Sequence, residues 1–150
     1  MKGNGYILKP LTADDLAAMT ALDARCFEAG WNYPSDVMAD YLLAPGARAL
    51  GAFRNRVLAA GILWGRTEII TLVVADEHRR RGLGRRLMGA ALQAIRKKGY
   101  RSADLDVDRD NAPAIALYRS MGFGVSKAFE EGGKARLRMT APVDSATIPP

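Results

Sequence analysis

The run Arg79-Arg80-Arg81-Gly82-Leu83-Gly84 combines residue types that suit the binding of phosphate groups. Gly82 and Gly84 let main-chain amides come close to a ligand, and arginine side chains make bidentate contacts with phosphate oxygens. Arg85 and Arg86 follow directly and add two more guanidinium groups. The run predicts a site for a multiply phosphorylated ligand. A solvated basic turn and a nucleic-acid patch are the alternatives, because a Gly-x-Gly pair is common.

A predicted strand and a predicted helix flank this run and would position it. Residues 67–74 are rich in β-branched side chains, which indicates a strand ending at Val74. From Gly82 to Lys98 apolar residues recur at helical spacing, and Lys97-Lys98-Gly99 supplies the cations and the glycine typical of a helix C-terminus. The run therefore lies at a helix N-terminus, where unpaired N–H groups and the helix dipole favour an anion.

The rest of the chain alternates between strand and helix patterns. A first strand is predicted at Tyr6-Ile7-Leu8-Lys9, followed by a helix capped by Thr12 and a shorter helix capped by Ser35. A further helix is capped by Asn111 and ends at Gly122. The apolar positions of the first helix are Leu16, Met19, Ala21, Leu22 and Cys26. The other predicted strands cover 47–53, 57–65, 102–108, 123–129 and 134–140.

This order of elements predicts one domain of the α/β (α+β) class. It would contain a mixed, mainly antiparallel sheet and four helices, and it would extend over residues 1–140. Residues 141–150 contain three prolines and small polar residues, which is typical of a loose tail. The length of 150 residues, of which 49% are hydrophobic, agrees with a single core.

Charge and cysteine content restrict the partners and the compartment. The formal net charge of +6 favours acidic partners, which include nucleic acid, anionic lipid and phosphate-rich small molecules. A single cysteine, Cys26, excludes an internal disulfide framework and agrees with a reducing compartment. Its apolar helical setting, without a histidine nearby in sequence, predicts a buried structural thiol. The first residues lack the apolar core of a signal peptide, and no apolar run reaches transmembrane length, so a cytoplasmic location is expected.

Two motifs resemble the landmarks of the GNAT superfamily of N-acetyltransferases. The segment from Val74 to Gly84 resembles the superfamily signature of glutamine or arginine, two residues, glycine, one residue, and glycine or alanine. The segment from Asn111 to Tyr118, followed by Met121-Gly122-Phe123, is similar to its second landmark. Both occur in the expected order and at the expected separation. The resemblance covers about residues 5–140. Within the superfamily, the sequences of the two motifs are most similar to the ribosomal-protein alanine acetyltransferase type.

The resemblance implies the GNAT fold and acetyl-CoA as cofactor. It implies that the strand ending at Val74 lends main-chain groups to the pantetheine arm and that amides of the basic run hold the pyrophosphate. Asn111 would contact the cofactor near its thiol, and Tyr118 matches the tyrosine that protonates the departing CoA thiolate. A helix cap and a half-buried core aromatic are the alternative roles of these two residues. The implied cofactor contacts are Leu72, Val73, Val74, Arg79, Arg80, Arg81, Gly82, Leu83, Gly84, Arg85, Asn111 and Tyr118.

Acetyl transfer to an amine also requires removal of a proton, because a primary amine is mostly ammonium at pH 7. Relative to the glycine signature, Glu68 matches the glutamate used by the histone-type branch of the superfamily. Asp106 matches the catalytic glutamate of the branch that acetylates ribosomal-protein N-termini, although aspartate is one methylene shorter and would need a bridging water. Alternatively, Glu68 is a strand-edge charge. The row Asp104, Asp106 and Asp108 is then a solvated face or a set of partners for the many arginines.

The loop between the first two helices often borders the acceptor in this family. Trp31, Asn32 and Tyr33 are therefore predicted substrate contacts, with packing and turn formation as their alternative role. No metal is expected, because the aspartate row lacks the turn glycine and final glutamate of a calcium loop. The single histidine, His78, gives no support for a zinc cluster or a histidine-based triad.

The sequence thus predicts an enzyme that moves an acetyl group from acetyl-CoA to a primary amine in a ternary complex. Tyr118 is the predicted general acid, and Glu68 or Asp106 is the predicted base. The expected partner is a small-molecule or peptide amine, with no nucleic acid and no membrane, and the chain is expected to be a monomer or homodimer. The alternative is a CoA-binding or nucleic-acid-binding module without turnover. The concentration of arginines at one junction favours a compact phosphate ligand.

Overall fold

The computed structural model describes residues 5–27 and 33–143. Helices α1 (Leu16–Cys26), α2 (Ser35–Leu43), α3 (Leu83–Lys97) and α4 (Ala112–Ser120) alternate with seven strands, and short 3₁₀ turns precede α1 and α3. The strands are β1 (Ile7–Pro10), β2 (Ala47–Arg54), β3 (Val57–Gly65), β4 (Glu68–Val74), β5 (Ser102–Asp108), β6 (Gly124–Glu131) and β7 (Lys134–Pro142). This order confirms the predicted mixed α/β class with four helices in the described residues.

The strands follow the hydrogen-bonded order β1-β2-β3-β4-β5-β7-β6. The pairs β1–β2, β2–β3, β5–β7 and β6–β7 are antiparallel, whereas β4 and β5 are parallel, with Glu68 opposite Asp104. The chain forms two compact units. The first comprises Met1–Arg66 and Ile70–Met88, and the second comprises Thr67–Ile69 and Gly89–Pro150. Strand β4 and helix α3 each contribute residues to both units.

In the first unit, α1 and α2 pack on each other and on β3. A glycine on β3 allows this approach, because a Cβ added to Gly61 would lie 2.5 Å from Sδ of Met19 on α1. Any larger residue there would force the Met19 side chain to move. The buried core of this unit contains Leu11, Met19, Leu22, Met38, Ala49, Phe53, Leu63, Val73 and Ala75.

Two predicted details of the first helices are wrong. Ala21 is exposed, and the buried position beside Leu22 belongs to Asp23. Ser35 is the first residue of α2 and not its cap, because Pro34 takes the extended cap conformation and its carbonyl accepts the Met38 amide at 2.8 Å. Proline suits a position at the start of a helix, where no amide hydrogen bond is lost.

In the second unit, β5 has one apolar and one polar face. Ala103, Leu105 and Val107 are buried, and the three aspartates alternate with them on the opposite face. Strand β7 extends beyond the predicted end at residue 140 to Pro142, and the Val143 amide donates to the Arg101 carbonyl at 3.0 Å. The predicted tail therefore starts too early, because Ala141 and Val143 are apolar and buried. Residues 144–150 lie outside the described part of the chain.

Within the two described ranges, none of the helices has the length and apolar character required to span a membrane.

Candidate functional site

The basic turn connects the end of β4 to the N-terminus of α3. After Val74 the chain passes through a 3₁₀ turn at Asp76–His78 and enters α3 at Leu83. Arg80 and Gly82 adopt left-handed φ angles of 64° and 78°. A Cβ added to Gly82 would meet no protein atom within 4 Å, so there is open room in front of the helix N-terminus. The first amides of α3 border this open room, and a helix N-terminus favours an anion.

Side chains of the first unit fix this turn. The Val74 carbonyl accepts hydrogen bonds from Nε of Arg79 at 3.3 Å and from Sγ of Cys26 at 3.5 Å. The hydroxyl of buried Tyr6 lies 2.7 Å from Nδ1 of His78. Desolvation by burial raises the pKa of the Cys26 thiol, so the half-buried thiol stays neutral, in agreement with a structural role. These contacts within the protein hold the turn in place.

Helix α4 of the second unit carries the two residues of the second landmark. Oδ1 of Asn111 accepts the Ala114 amide at 3.3 Å, which confirms Asn111 as the helix cap. Tyr118 is half-buried, and its ring centroid lies 6.0 Å from that of Phe123. No residue in the described part of the chain hydrogen-bonds the Tyr118 hydroxyl. Desolvation raises the pKa of Tyr118 to about 12, so this hydroxyl keeps its proton at neutral pH.

Glu68 stands at the start of β4 with other charged groups of the second unit around it. Desolvation is the largest influence and raises the pKa of Glu68. The charge of Arg138 lowers this pKa, whereas Asp106 and Asp104 raise it further. Among the described residues none forms a hydrogen bond or ion pair with the Glu68 carboxylate. Glu68 is therefore a carboxylate with a raised pKa that can accept a proton from a ligand.

The aspartates of β5 are paired across the strands with residues of β7. Arg138 donates to Asp106 through Nε at 2.9 Å and Nη2 at 3.1 Å, and Thr140 donates to Asp104 at 2.9 Å. These pairs are directly opposite in the β5–β7 register. The alternative in which the aspartate row supplies partners for arginines is thus confirmed for Asp106. Its role as a base stays a prediction, since the bidentate ion pair occupies both carboxylate oxygens.

Asp108 ends the row near the β6–β7 turn. Desolvation acts to raise the pKa of Asp108, but hydrogen bonds from Arg136 and Lys134 outweigh it and hold this pKa below its usual range. The Arg136 and Lys134 nitrogens lie 2.6 and 3.2 Å from the two carboxylate oxygens. Asp108 is therefore ionised at neutral pH and pairs with cations of its own unit.

Of the predicted acceptor contacts, Trp31 and Asn32 lie outside the described residues. Tyr33 is half-buried, its ring packs edge-on against Tyr41 at 5.3 Å, and its hydroxyl donates to the Ile70 carbonyl at 3.4 Å. The packing role of Tyr33 is thus confirmed, and contact with a substrate stays a prediction.

Two charged residues with clear roles were missed from the sequence. Asp23 is fully buried and accepts hydrogen bonds from Thr71 and from the Tyr33 amide. The sequence could have indicated the burial of Asp23, because Asp23 occupies an apolar position of the helix face formed by Met19, Leu22 and Cys26. Arg138, the partner of Asp106, alternates with apolar residues on β7, but no sequence pattern pairs it with one aspartate.

The predicted site residues fall into two groups. The first unit contains Leu72 to Val74 and the basic turn, and the second contains Glu68, Asp106, Asn111 and Tyr118. For residues 5–27 and 33–143, no cluster of three or more histidine, cysteine, aspartate or glutamate side chains could hold a metal ion.

The family model of the acetyltransferase (GNAT) family matches residues 16–123, which include β4, the basic turn and Tyr118. The chain belongs to the GNAT family of acetyltransferases. This assignment confirms the resemblance seen in the two motifs, and acetyl-CoA is the cosubstrate of the family.

Related proteins differ in what their names say they acetylate. Mycothiol acetyltransferase of Clavibacter sepedonicus is 34% identical over 131 residues, which cover 79% of this chain and 43% of that protein. The chain thus spans less than half of that relative. The structure of nourseothricin acetyltransferase is similar with a TM-score of 0.74, 26% identity and coverage of 94% and 100%. The ribosomal-protein-S18-alanine N-acetyltransferase of Escherichia coli has a TM-score of 0.80 at 22% identity, covering 93% and 94%, which shows a shared fold.

Proposed function

We propose that this protein transfers an acetyl group from acetyl-CoA to a primary amine. The observation that carries the proposal is the basic turn between β4 and α3, where a left-handed Gly82 opens room in front of a helix N-terminus. Five arginines at residues 79–86 match the charge of a phosphorylated ligand. Membership of the GNAT family names that ligand as acetyl-CoA.

The residues of the first unit would bind and orient acetyl-CoA. Main-chain amides from Arg80 to Arg85 would hold the pyrophosphate, and main-chain groups of Leu72 to Val74 would align the pantetheine arm. The contacts of Arg79 and Cys26 with the Val74 carbonyl keep the end of this strand in place. When bound, acetyl-CoA supplies the activated acetyl thioester. A site fixed in advance lowers the ordering cost of binding.

The second unit supplies groups that move protons. The Tyr118 hydroxyl holds its proton at neutral pH and would donate it to the departing thiolate. Glu68 would accept the proton of the acceptor ammonium, directly or through water. Asp106 remains the competing candidate for this base, with its ion pair to Arg138 as the argument against it. We propose direct transfer in a ternary complex, since this arrangement requires no nucleophile from the protein.

The acceptor is proposed to be a cationic amine on a small molecule or peptide. Glu68 and Asp104 lie opposite each other and would attract an ammonium group. Nourseothricin acetyltransferase and the S18-alanine N-acetyltransferase illustrate the range of acceptors that similar folds take. Nucleic acid is not proposed as a partner, because the arginines concentrate at one turn. We further propose a cytoplasmic monomer or homodimer.

The test of the proposed function is a thiol-release assay with acetyl-CoA and a panel of amines. The panel contains an alanine-initiated peptide, lysine, spermidine, an aminoglycoside and nourseothricin. We expect CoA release that depends on at least one amine, with the acetylated amine identified by mass spectrometry. Tight acetyl-CoA binding without release in the presence of any amine would support the binding module instead.

Replacement of Gly82 by alanine is expected to weaken acetyl-CoA binding by about tenfold or more, because a Cβ would project into the space assigned to the pyrophosphate. Isothermal calorimetry measures the dissociation constant. Gly99→Ala is the matched control, because Gly99 also has a left-handed φ (96°) and open space at its Cβ but lies beyond the opposite end of α3. Both variants are expected to lose about 1–2 kcal/mol of stability through backbone strain. If Gly82→Ala and Gly99→Ala bound acetyl-CoA with equal affinity, the assignment of the space beside Gly82 to the pyrophosphate would be wrong.

A further inference from the structure

Asp23 is a fully buried carboxylate that the proposed acid–base chemistry does not use. It lies on α1 among core residues and has no exposed surface. Aspartate is almost never fully buried unless other groups satisfy its charge. Desolvation raises the pKa of Asp23, and hydrogen bonds from the Tyr33 amide and the Thr71 hydroxyl act in the opposite direction. A carboxylate thus occupies a core position where an apolar residue would have no such desolvation cost.

The contacts of Asp23 join three separate parts of the first unit. Oδ2 accepts the Tyr33 amide at 2.7 Å, and Oδ1 accepts the Thr71 hydroxyl at 2.9 Å. The carbonyl of Asp23 accepts the Phe27 amide at 3.1 Å, at the end of α1. The side chain of Asp23 therefore connects α1 to Tyr33 and to β4, whereas the bond to Phe27 is an ordinary main-chain bond at the end of the helix.

Tyr33 strengthens the same connection on the strand. Its hydroxyl donates to the carbonyl of Ile70, the neighbour of Thr71, and its ring packs against Tyr41 of α2. Two consecutive residues of β4 are thus hydrogen-bonded to this pair: the Ile70 carbonyl to the Tyr33 hydroxyl, and the Thr71 hydroxyl to the Asp23 carboxylate.

We infer that Asp23 is a positioning residue for acceptor binding in the acetyltransferase reaction. By holding the Tyr33 amide and the Thr71 hydroxyl at once, it sets Tyr33, a predicted acceptor contact, at a fixed place against β4. This inference rests on the proposed function. Asp23 itself is too deeply buried to touch a substrate, so its effect passes through Tyr33.

The experiment compares Asp23→Asn with Asp23→Leu, using the amine that gives the fastest CoA release among the alanine-initiated peptide, lysine, spermidine, an aminoglycoside and nourseothricin. Asparagine can accept the Tyr33 amide with its oxygen and donate to the Thr71 hydroxyl oxygen, whereas leucine leaves the Tyr33 amide unsatisfied. We expect Asp23→Leu to raise the acceptor KM by about tenfold, because the Tyr33 amide loses its acceptor, and Asp23→Asn to stay within about threefold of wild type. The KM for acetyl-CoA is expected to change by less than about twofold in both.

Leu22→Ala is the matched control for general destabilisation, because Leu22 is the buried neighbour of Asp23 and makes no such hydrogen bonds. It is expected to lower the melting temperature without raising the acceptor KM. Thr71→Val removes only the hydrogen bond between Asp23 and β4. It provides a test if Asp23→Leu does not fold. We expect Thr71→Val to raise the acceptor KM less than Asp23→Leu does. If the Asp23 and Thr71 variants changed the KM for the acceptor and the KM for acetyl-CoA equally, the role of Asp23 would be merely structural and the inference would be overturned. A rise of the acceptor KM in Leu22→Ala of the same size as in Asp23→Leu would have the same meaning.

Hydrogen exchange separates this inference from the proposed function. The Tyr33 amide is expected to exchange about tenfold faster in Asp23→Leu than in wild type, and to stay protected in Asp23→Asn. A wild-type protein that released no CoA with any amine would contradict the proposed function. Unchanged exchange at Tyr33 in Asp23→Leu would contradict the positioning by Asp23 whatever the activity assay shows.

Discussion

Replacement of Tyr118 by phenylalanine is expected to lower kcat by about 10²-fold, the smaller end of the range for loss of a general acid. The dissociation constant for acetyl-CoA is expected to change by less than about twofold, because only one hydroxyl is removed. The physical reason is the state of that hydroxyl. Desolvation raises the pKa of Tyr118 to about 12, so its proton is present throughout the physiological range. Steady-state kinetics and calorimetry measure the two quantities.

The control for this substitution is Tyr100→Phe. Tyr100 is also half-buried and belongs to the same unit, but it lies outside the proposed proton-transfer groups. Its loss of a hydroxyl is expected to leave kcat unchanged. Because the ring of Tyr118 packs near Phe123, Tyr118→Phe keeps the packing and removes only the proton donor. An unchanged kcat in Tyr118→Phe would show that Tyr118 is a core residue, and water would then be the proton donor to the thiolate.

The basic turn could be predicted from the sequence because local chemistry determines it. Glycine at a left-handed position, arginines in a row and an apolar helical pattern are all readable over a few residues. The same is true of Asn111, whose cap bond to Ala114 spans three residues. Strand boundaries were close for the same reason. They were two residues short at the ends of β6 and β7, and after β7 the Val143 amide bonds to the carbonyl of Arg101, which is far away in sequence.

Pairings between distant residues could not be predicted. Asp106 and Arg138 are 32 residues apart, and their ion pair depends on the β5–β7 register. A shift of that register by one residue would move Arg138 to the opposite face of the sheet. Asp23 and Thr71 are 48 residues apart, so only the packing of α1 on the sheet brings them together. The sequence therefore identified Glu68 and Asp106 as competing candidates for the base, but it did not reveal that Asp106 is paired with Arg138.

Replacement of Glu68 by glutamine is expected to lower kcat by about 10²-fold and to remove the acidic limb of its pH profile. A base must be deprotonated to act, so wild-type activity falls as the pH drops through the pKa of Glu68. Because desolvation raises this pKa, the limb is expected above the ordinary glutamate value of 4.5. The profile of kcat/KM against pH, at saturating acetyl-CoA, measures the limb. Retention of the same limb in Glu68→Gln would exclude Glu68 as its source.

Two neighbouring substitutions should move this limb in opposite directions. Arg138→Gln removes a positive charge that lowers the pKa of Glu68, so the limb should shift to higher pH. Asp104→Asn removes a negative charge that raises this pKa, so the limb should shift to lower pH, and asparagine still accepts the Thr140 hydroxyl. General damage to the site would lower activity without such a pair of opposite shifts.

Arg138→Gln and a third variant, Asp106→Asn, decide between the competing bases. If Asp106 were the base, Arg138→Gln would break its bidentate pair and free a carboxylate, and activity at neutral pH would rise or hold. Asp106→Asn would then remove the acidic limb. If Glu68 is the base, Asp106→Asn keeps the limb and only displaces it. The ion pair makes the second outcome the expected one, because the Arg138 guanidinium already hydrogen-bonds both oxygens of the Asp106 carboxylate.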